Sequence, residues 1–285
     1  MSRPPTFVLP PGAVPRRLRT ARGDFAVVDA PAATDPPKGT ALLLPGYTGS
    51  KEDFIALHAP LAAAGYRTVA VDGRGQYESA GPADDEAPYA QDELARDVLA
   101  QAAAVGTPVH LVGHSLGGHL ARAAVLRDPV PFRSLTLVSS GPGRICEAQR
   151  HRVQLLRDIL AEQTMAEVWD VIQRLEAAED QGTDGPADLT DRLRLRWLGT
   201  QPAQLRATGR QLCTEPDRTD DLAAVRLPKH VLSGERDDTW PVPDMDAMAR
   251  RLGAHRTVVP GAGHSPNTDR PAETAAALAA FWDRC

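Results

Sequence analysis

The chain has 285 residues, enough for one α/β core with an insertion, and its formal net charge at pH 7 is −5. Its arginines lie among Asp and Glu residues rather than in a basic stripe, so nucleic acid is not an expected partner. No apolar run approaches the ~20 residues of a membrane-spanning helix, and the proline-rich start lacks the apolar core of a signal peptide.

Apolar runs and amphipathic segments alternate along the chain, which is typical of α/β proteins. A leading hairpin is predicted over 16–29, around Arg22-Gly23. Further strands are predicted near 41–45, 67–71, 108–113, 134–139, 228–233 and 255–259, and helices near 51–64, 91–104, 115–127, 243–252 and 268–283. This alternation predicts a mostly parallel, doubly wound sheet with helices on both faces.

The segment Gly113-His114-Ser115-Leu116-Gly117 lies between a predicted strand and a predicted helix. A serine flanked by glycines at positions −2 and +2 in such a turn is typical of a nucleophile elbow. The turn holds the serine Oγ clear of the sheet at a helix N-terminus, where backbone N–H groups favour a developing anion. The alternative is an ordinary strand-to-helix turn with a capping serine.

Residues 141–225 depart from the alternation of strands and helices. Three apolar helical faces are predicted there, around Val153 to Leu160, Val168 to Leu175 and Leu189 to Trp197, with a break over Gln181–Pro186. We therefore expect a mostly helical insertion between the sixth and seventh strands.

Two loops that follow later strands carry an acid and a base. Asp237 and Asp238 follow the strand near 228–233, and His264 follows the strand near 255–259. Loops after parallel strands meet at one edge of the sheet, so these side chains are expected near Ser115. The chain order Ser, Asp, His matches a nucleophile, an orienting acid and a general base. Asp237 is preferred over Asp238 as the acid.

Together with these motifs, two further stretches make the chain similar to α/β-hydrolases. Leu42–Gly49 resembles the family's oxyanion loop after the third strand, and Asp72–Ser79 resembles its Asp-x-Arg-Gly-x-Gly-x-Ser stretch. Pro45 stands where the family commonly has His, and Tyr77 where it often has Gly. The resemblance implies an α/β-hydrolase core over 1–140 and 226–285. It also implies a helical lid over 141–225.

The resemblance also implies what the site residues do. Ser115 would be the nucleophile, His264 the base and Asp237 the acid, with the backbone N–H groups of Tyr47 and Leu116 forming the oxyanion hole. Four large side chains are expected to line the substrate pocket: Met165, Trp169, Trp197 and Trp240. A partly apolar small-molecule substrate is therefore expected.

The leading hypothesis for function is hydrolysis of a carboxylic ester through an acyl-enzyme. The same three residues can cleave thioesters, lactones or carbon–carbon bonds, so these reactions stay open. A ligand-binding receptor on a hydrolase fold is the alternative from another class. A dehalogenase or an epoxide hydrolase of this family would carry Asp at position 115, so Ser115 argues against both. The substrate and the oligomeric state stay open.

The cysteine content indicates a reducing compartment. Cys146, Cys213 and Cys285 cannot all pair within one chain, and their spacing is not that of a metal site. We therefore expect a cytoplasmic protein that uses no metal and no other cofactor. A bridge between Cys146 and Cys213 is the less favoured alternative.

Overall fold

The computed structural model describes residues 2–179 and 187–285, and eight strands form one sheet within them. The order across the sheet is β1-β2-β4-β3-β5-β6-β7-β8. β1 and β2 form an antiparallel hairpin, β2 pairs antiparallel with β4, and all other neighbours are parallel. The strand bounds are β1 Val14–Thr20, β2 Gly23–Ala30, β3 Gly39–Leu44, β4 Tyr66–Val71, β5 Val109–His114, β6 Phe132–Val138, β7 Lys229–Gly234 and β8 His255–Val259.

The central strands are apolar on both faces because helices cover both sides of the sheet. Alternate residues of β3 divide between two core clusters: Leu42 and Leu44 lie in one, Ala41 and Leu43 in the other. All eight predicted strands, including the hairpin, overlap observed ones. The prediction of a mostly parallel, doubly wound α/β sheet is therefore confirmed.

Helices pack on the two faces of this sheet. One face carries α2 (Gln91–Val105), α3 (Leu116–Arg127) and α9 (Val242–Leu252), and the other carries α1 (Ile55–Ala63) and α11 (Pro271–Trp282). A 3-10 helix over Lys51–Phe54 precedes α1, and another covers Ala87–Tyr89. The single helix predicted near 268–283 is instead two helices, α10 (Pro266–Asp269) and α11, because Pro271 has no N–H with which to continue the first.

Between β6 and β7, the described part of the chain forms five helices. Their bounds are α4 Glu147–Glu162, α5 Met165–Glu179, α6 Ala187–Gly199, α7 Pro202–Thr214 and α8 Thr219–Ala223. The first three correspond to the predicted apolar faces. The predicted break over Gln181–Pro186 lies outside the described residues. The sequence pattern did not predict α7, whose buried face consists largely of small or polar residues such as Ala203, Gln204 and Thr208.

Two buried ion pairs connect the inserted helices to the core. Arg196 on α6 donates to Asp53 beside α1 at 2.9 Å, and both side chains are buried. Arg122 on α3 donates to Glu215 at the end of α7 at 2.7 Å. Removing one partner of such a pair leaves an uncompensated buried charge and typically costs about 3–5 kcal/mol. α6 and the end of α7 are therefore held to the core at these points.

Within the described residues, no helix has both the length and the apolar character needed to cross a membrane.

Candidate active site

Ser115 lies at the apex of the turn between β5 and α3. Its backbone has φ 54° and ψ −119°, outside the conformations that a side chain ordinarily favours. A backbone held in this way stores roughly 1–3 kcal/mol of strain, which the surrounding structure must offset. Cβ atoms at Gly113 or Gly117 would collide with backbone atoms across the turn or on β3, so both positions require glycine.

The loops after β7 and β8 bring an acid and a base to Ser115. His264 Nε2 lies 3.1 Å from Ser115 Oγ, within hydrogen-bond distance. On the other side of the ring, His264 Nδ1 lies 3.0 Å and 3.1 Å from the two carboxylate oxygens of Asp237. Three residues from three separate loops therefore form one continuous hydrogen-bonded chain at the carboxyl edge of the sheet.

Asp238 points elsewhere. Its Oδ2 accepts a hydrogen bond from Gln149 Nε2 at 2.7 Å, on α4, and the residue is exposed. Of the two neighbouring carboxylates, the structure thus places Asp237 against the imidazole, and this is the residue preferred from the sequence.

The surroundings of Asp237 favour its charged form. Burial alone would raise the pKa of this fully covered carboxyl, but hydrogen bonds from His264 and from two backbone N–H groups outweigh it and lower the pKa. Those N–H groups belong to Thr239 at 2.8 Å and Trp240 at 3.1 Å, and both donate to Oδ1. Asp237 is therefore a fixed anion that accepts from Nδ1 of His264.

His114, the residue before Ser115, supports the base through the backbone. Its Nε2 donates to the carbonyl oxygen of His264 at 2.9 Å, which assigns the proton to Nε2 because a carbonyl can only accept. Burial, and then the proximity of the His264 ring, lower the pKa of His114 to about 4. A neutral His114 thus anchors the His264 loop. The sequence offered no signal for this role, because it depends on a contact between residues 150 positions apart.

The backbone N–H groups of Tyr47 and Leu116 are the predicted donors of the oxyanion hole. Tyr47 follows β3, and its side-chain hydroxyl donates to the Leu205 carbonyl on α7 at 2.9 Å. Leu116 is the first residue of α3, where an N–H has no intrahelical acceptor and the helix dipole favours negative charge. Gly46, Tyr47 and Ser115 all line the same cavity, so the predicted oxyanion residues are brought to the predicted nucleophile.

Two adjoining cavities open at this site. The catalytic cavity, of about 360 Å³, is lined by Ser115 and His264 together with residues of the oxyanion loop and of α4. The α4–α5 cavity, of about 390 Å³, lies between these two helices and is mostly apolar. Residues that line both cavities join them: Tyr47, Thr48, Gln149, Arg152 and Val153.

Within the described residues, none of the four predicted pocket residues lines the catalytic cavity. Trp197 lines the α4–α5 cavity instead. Trp169 is buried in the core of the inserted helices. Met165 packs against the same core, and its backbone carbonyl accepts a hydrogen bond from Trp197 Nε1. Trp240 is buried beside the imidazole and donates to the Gly143 carbonyl. Large aromatic side chains gain most from full burial, and the rings of Trp169 and Trp240 lie in packing positions rather than on a cavity wall.

Comparison with known proteins gives consistent matches. The model of the Alpha/beta hydrolase family matches residues 41–277. A 2-succinyl-6-hydroxy-2,4-cyclohexadiene-1-carboxylate synthase from Enterobacter sp. (strain 638) is 30% identical over 182 residues, which cover 59% of this chain and 64% of the relative. This chain thus spans just under two thirds of that relative. A pimeloyl-[acyl-carrier protein] methyl ester esterase from Aeromonas hydrophila is 30% identical over 78% of this chain and 92% of the relative.

Solved structures show the same fold. An esterase from Exiguobacterium antarcticum superimposes with a TM-score of 0.76 at 18% identity, covering 95% of this chain and all of the other. At this identity the match concerns the fold alone.

Proposed function

Since the chain belongs to the alpha/beta hydrolase family and is a hydrolase, we propose that it cleaves carboxylic esters with Ser115 as nucleophile. The observation that carries the proposal is the hydrogen-bonded chain from Asp237 through His264 to Ser115, at 3.0 Å and 3.1 Å, on the wall of an open cavity. A serine needs an adjacent base for activation, and the base needs an orienting acid.

The reaction follows from these positions. His264 Nε2 takes the proton of Ser115 Oγ as the oxygen attacks the ester carbonyl carbon, and Asp237 stabilises the resulting imidazolium. The N–H groups of Tyr47 and Leu116 hold the oxyanion of the tetrahedral intermediate. His264 then donates its proton to the leaving alcohol. A water molecule activated by His264 hydrolyses the acyl-enzyme and restores Ser115.

We propose that residues 141–225 form a lid over the core at 1–140 and 226–285, and that the α4–α5 cavity receives the apolar part of the substrate. Leu156, Ile159 and Ile172 of α4 and α5 line this cavity, which opens into the catalytic cavity. An ester with a medium-length apolar chain fits these walls better than a small acetate ester. The name of the Aeromonas relative specifies a methyl ester, which agrees with a small leaving alcohol.

We further propose that the protein acts in the cytoplasm on a small-molecule substrate. The three free cysteines, Cys146, Cys213 and Cys285, agree with a reducing compartment.

The experiment is a panel of aryl esters of graded acyl length, extended by a thioester, a lactone and a β-diketone. The wild-type protein should hydrolyse the aryl esters best at medium acyl length, and S115A should lower kcat by at least ~10⁴-fold. Preferential turnover of another bond type would replace the ester assignment. Binding of the compounds without turnover of any would favour the receptor alternative.

A further inference from the structure

Gln76 lies behind the oxyanion loop, outside the catalytic cavity, and is 5% exposed. Its Nε2 donates to the carbonyl oxygen of Gly46 at 2.9 Å, and its Oε1 accepts from the backbone N–H of Gly73 at 2.9 Å. A carbonyl can only accept and a backbone N–H can only donate, so these partners assign the amide orientation without ambiguity. Gln76 therefore holds the Gly46 carbonyl from a fixed direction.

The Gly46 carbonyl and the Tyr47 N–H belong to one peptide plane. The bond between these residues is trans, so the N–H points away from the side on which Gln76 holds the carbonyl. Gly46 and Tyr47 line the catalytic cavity and Gln76 does not, which agrees with a Tyr47 N–H that faces the cavity. Resting on the function proposed above, we infer that Gln76 is a positioning residue that directs the Tyr47 N–H into the oxyanion hole.

The Gly46–Tyr47 peptide needs such an anchor. A Cβ at Gly46 would lie 3.3 Å from both Ser115 Cβ and His114 Nδ1, so the close approach to the nucleophile favours glycine. Glycine leaves the peptide free to rotate, and a half-turn would point the carbonyl oxygen at the oxyanion instead of the N–H. A second backbone bond, from Gly49 N–H to the Gly46 carbonyl at 3.2 Å, opposes the same rotation more weakly.

The test compares Q76M and Q76E with the matched control Q101M. Gln101 is also buried and lines the same small cavity behind the loop, on α2, so its substitution reports the effect of the change on packing alone. Loss of one oxyanion donor typically lowers kcat by about 10²–10³-fold. If the Tyr47 N–H points away from the oxyanion in most of the Q76M molecules, their kcat should fall by ~10–100-fold, with KM nearly unchanged.

The Q76E variant gives a readout that a packing role would not change. As a carboxylate it accepts from Gly73 but repels the Gly46 carbonyl, whereas a protonated carboxyl donates its O–H to that carbonyl. The ratio of kcat for Q76E to kcat for wild type should therefore rise as pH falls from about 8 to about 5.5. The same ratio for Q76M should stay constant with pH.

A flat ratio for Q76E, or a kcat for Q76M within about threefold of Q101M, would overturn the assignment. Absence of ester turnover by the wild-type protein would count against the proposed function instead. In that case crystal structures decide the role of Gln76: the Gly46 carbonyl should be rotated in Q76M or Q76E, and an unchanged peptide in both would overturn it.

Discussion

Replacing Asp237 by Asn should inactivate the enzyme by trapping the wrong imidazole tautomer. The Oδ1 of Asp237 accepts from the N–H groups of Thr239 and Trp240, so the Asn oxygen will occupy this position. The Asn NH₂ then occupies the Oδ2 position, 3.1 Å from His264 Nδ1. Because that group donates, it favours the tautomer in which Nδ1 accepts and the ring proton is on Nε2, where it faces Ser115.

An imidazole protonated at Nε2 cannot take the proton of Ser115. In serine proteases the corresponding change lowers kcat about 10⁴-fold, which is ~5.4 kcal/mol of activation free energy. We expect a similar loss for D237N, measured as kcat on the best aryl ester of the panel. The melting temperature should change little, because Asn keeps both backbone hydrogen bonds.

The neighbouring carboxylate provides the matched control. Asp238 is exposed, and its carboxylate accepts from Gln149 and not from His264, so D238N should keep kcat within about threefold of wild type. A kcat for D237N within tenfold of wild type, or a larger loss for D238N, would refute the reasoning.

Two further predictions concern the inserted helices. Replacing Arg196 by Met leaves the Asp53 carboxylate buried without its partner, so the free energy of unfolding should fall by about 3–5 kcal/mol in denaturant titrations. The same change at exposed Arg194 should cost less than ~0.5 kcal/mol, and equal losses would contradict the role of the ion pair. Replacing Ile172 by Trp should fill the α4–α5 cavity and lower kcat/KM for octanoyl esters about 10–100-fold, while acetyl esters change less. The control is L195W, at an exposed position. A uniform loss of kcat/KM across all acyl chain lengths in I172W would contradict a substrate site in this cavity.

The sheet and the elbow could be predicted because local patterns determine them. Buried parallel strands are continuous apolar runs, and Gly113 and Gly117 are required by contacts within a few residues of Ser115 and on the neighbouring strand. The proximity of Asp237 and His264 to Ser115 could be predicted for a related reason, since parallel strands bring the loops after them to one edge of the sheet.

Contacts between distant segments could not be predicted in the same way. Helix α7 buries Gln204 and Thr208, so no apolar face marks it in the sequence. The expected wall residues Trp169 and Trp240 are instead buried in packing positions, because an aromatic residue on a helix or loop does not reveal whether it faces a cavity or a core. The anchoring contact of Gln76 with Gly46 spans 30 residues and follows only from how the two loops fold together.

The central claim is that Ser115 is a nucleophile activated by His264, and covalent labelling tests it most directly. A fluorophosphonate probe should add one phosphonyl group to the wild-type protein, detected by intact-protein mass spectrometry, with the modified peptide containing Ser115. Labelling should disappear in S115A and become much slower in H264A, because the serine then lacks its base. Labelling that persists in S115A, or a wild-type protein that stays unmodified, would contradict the account.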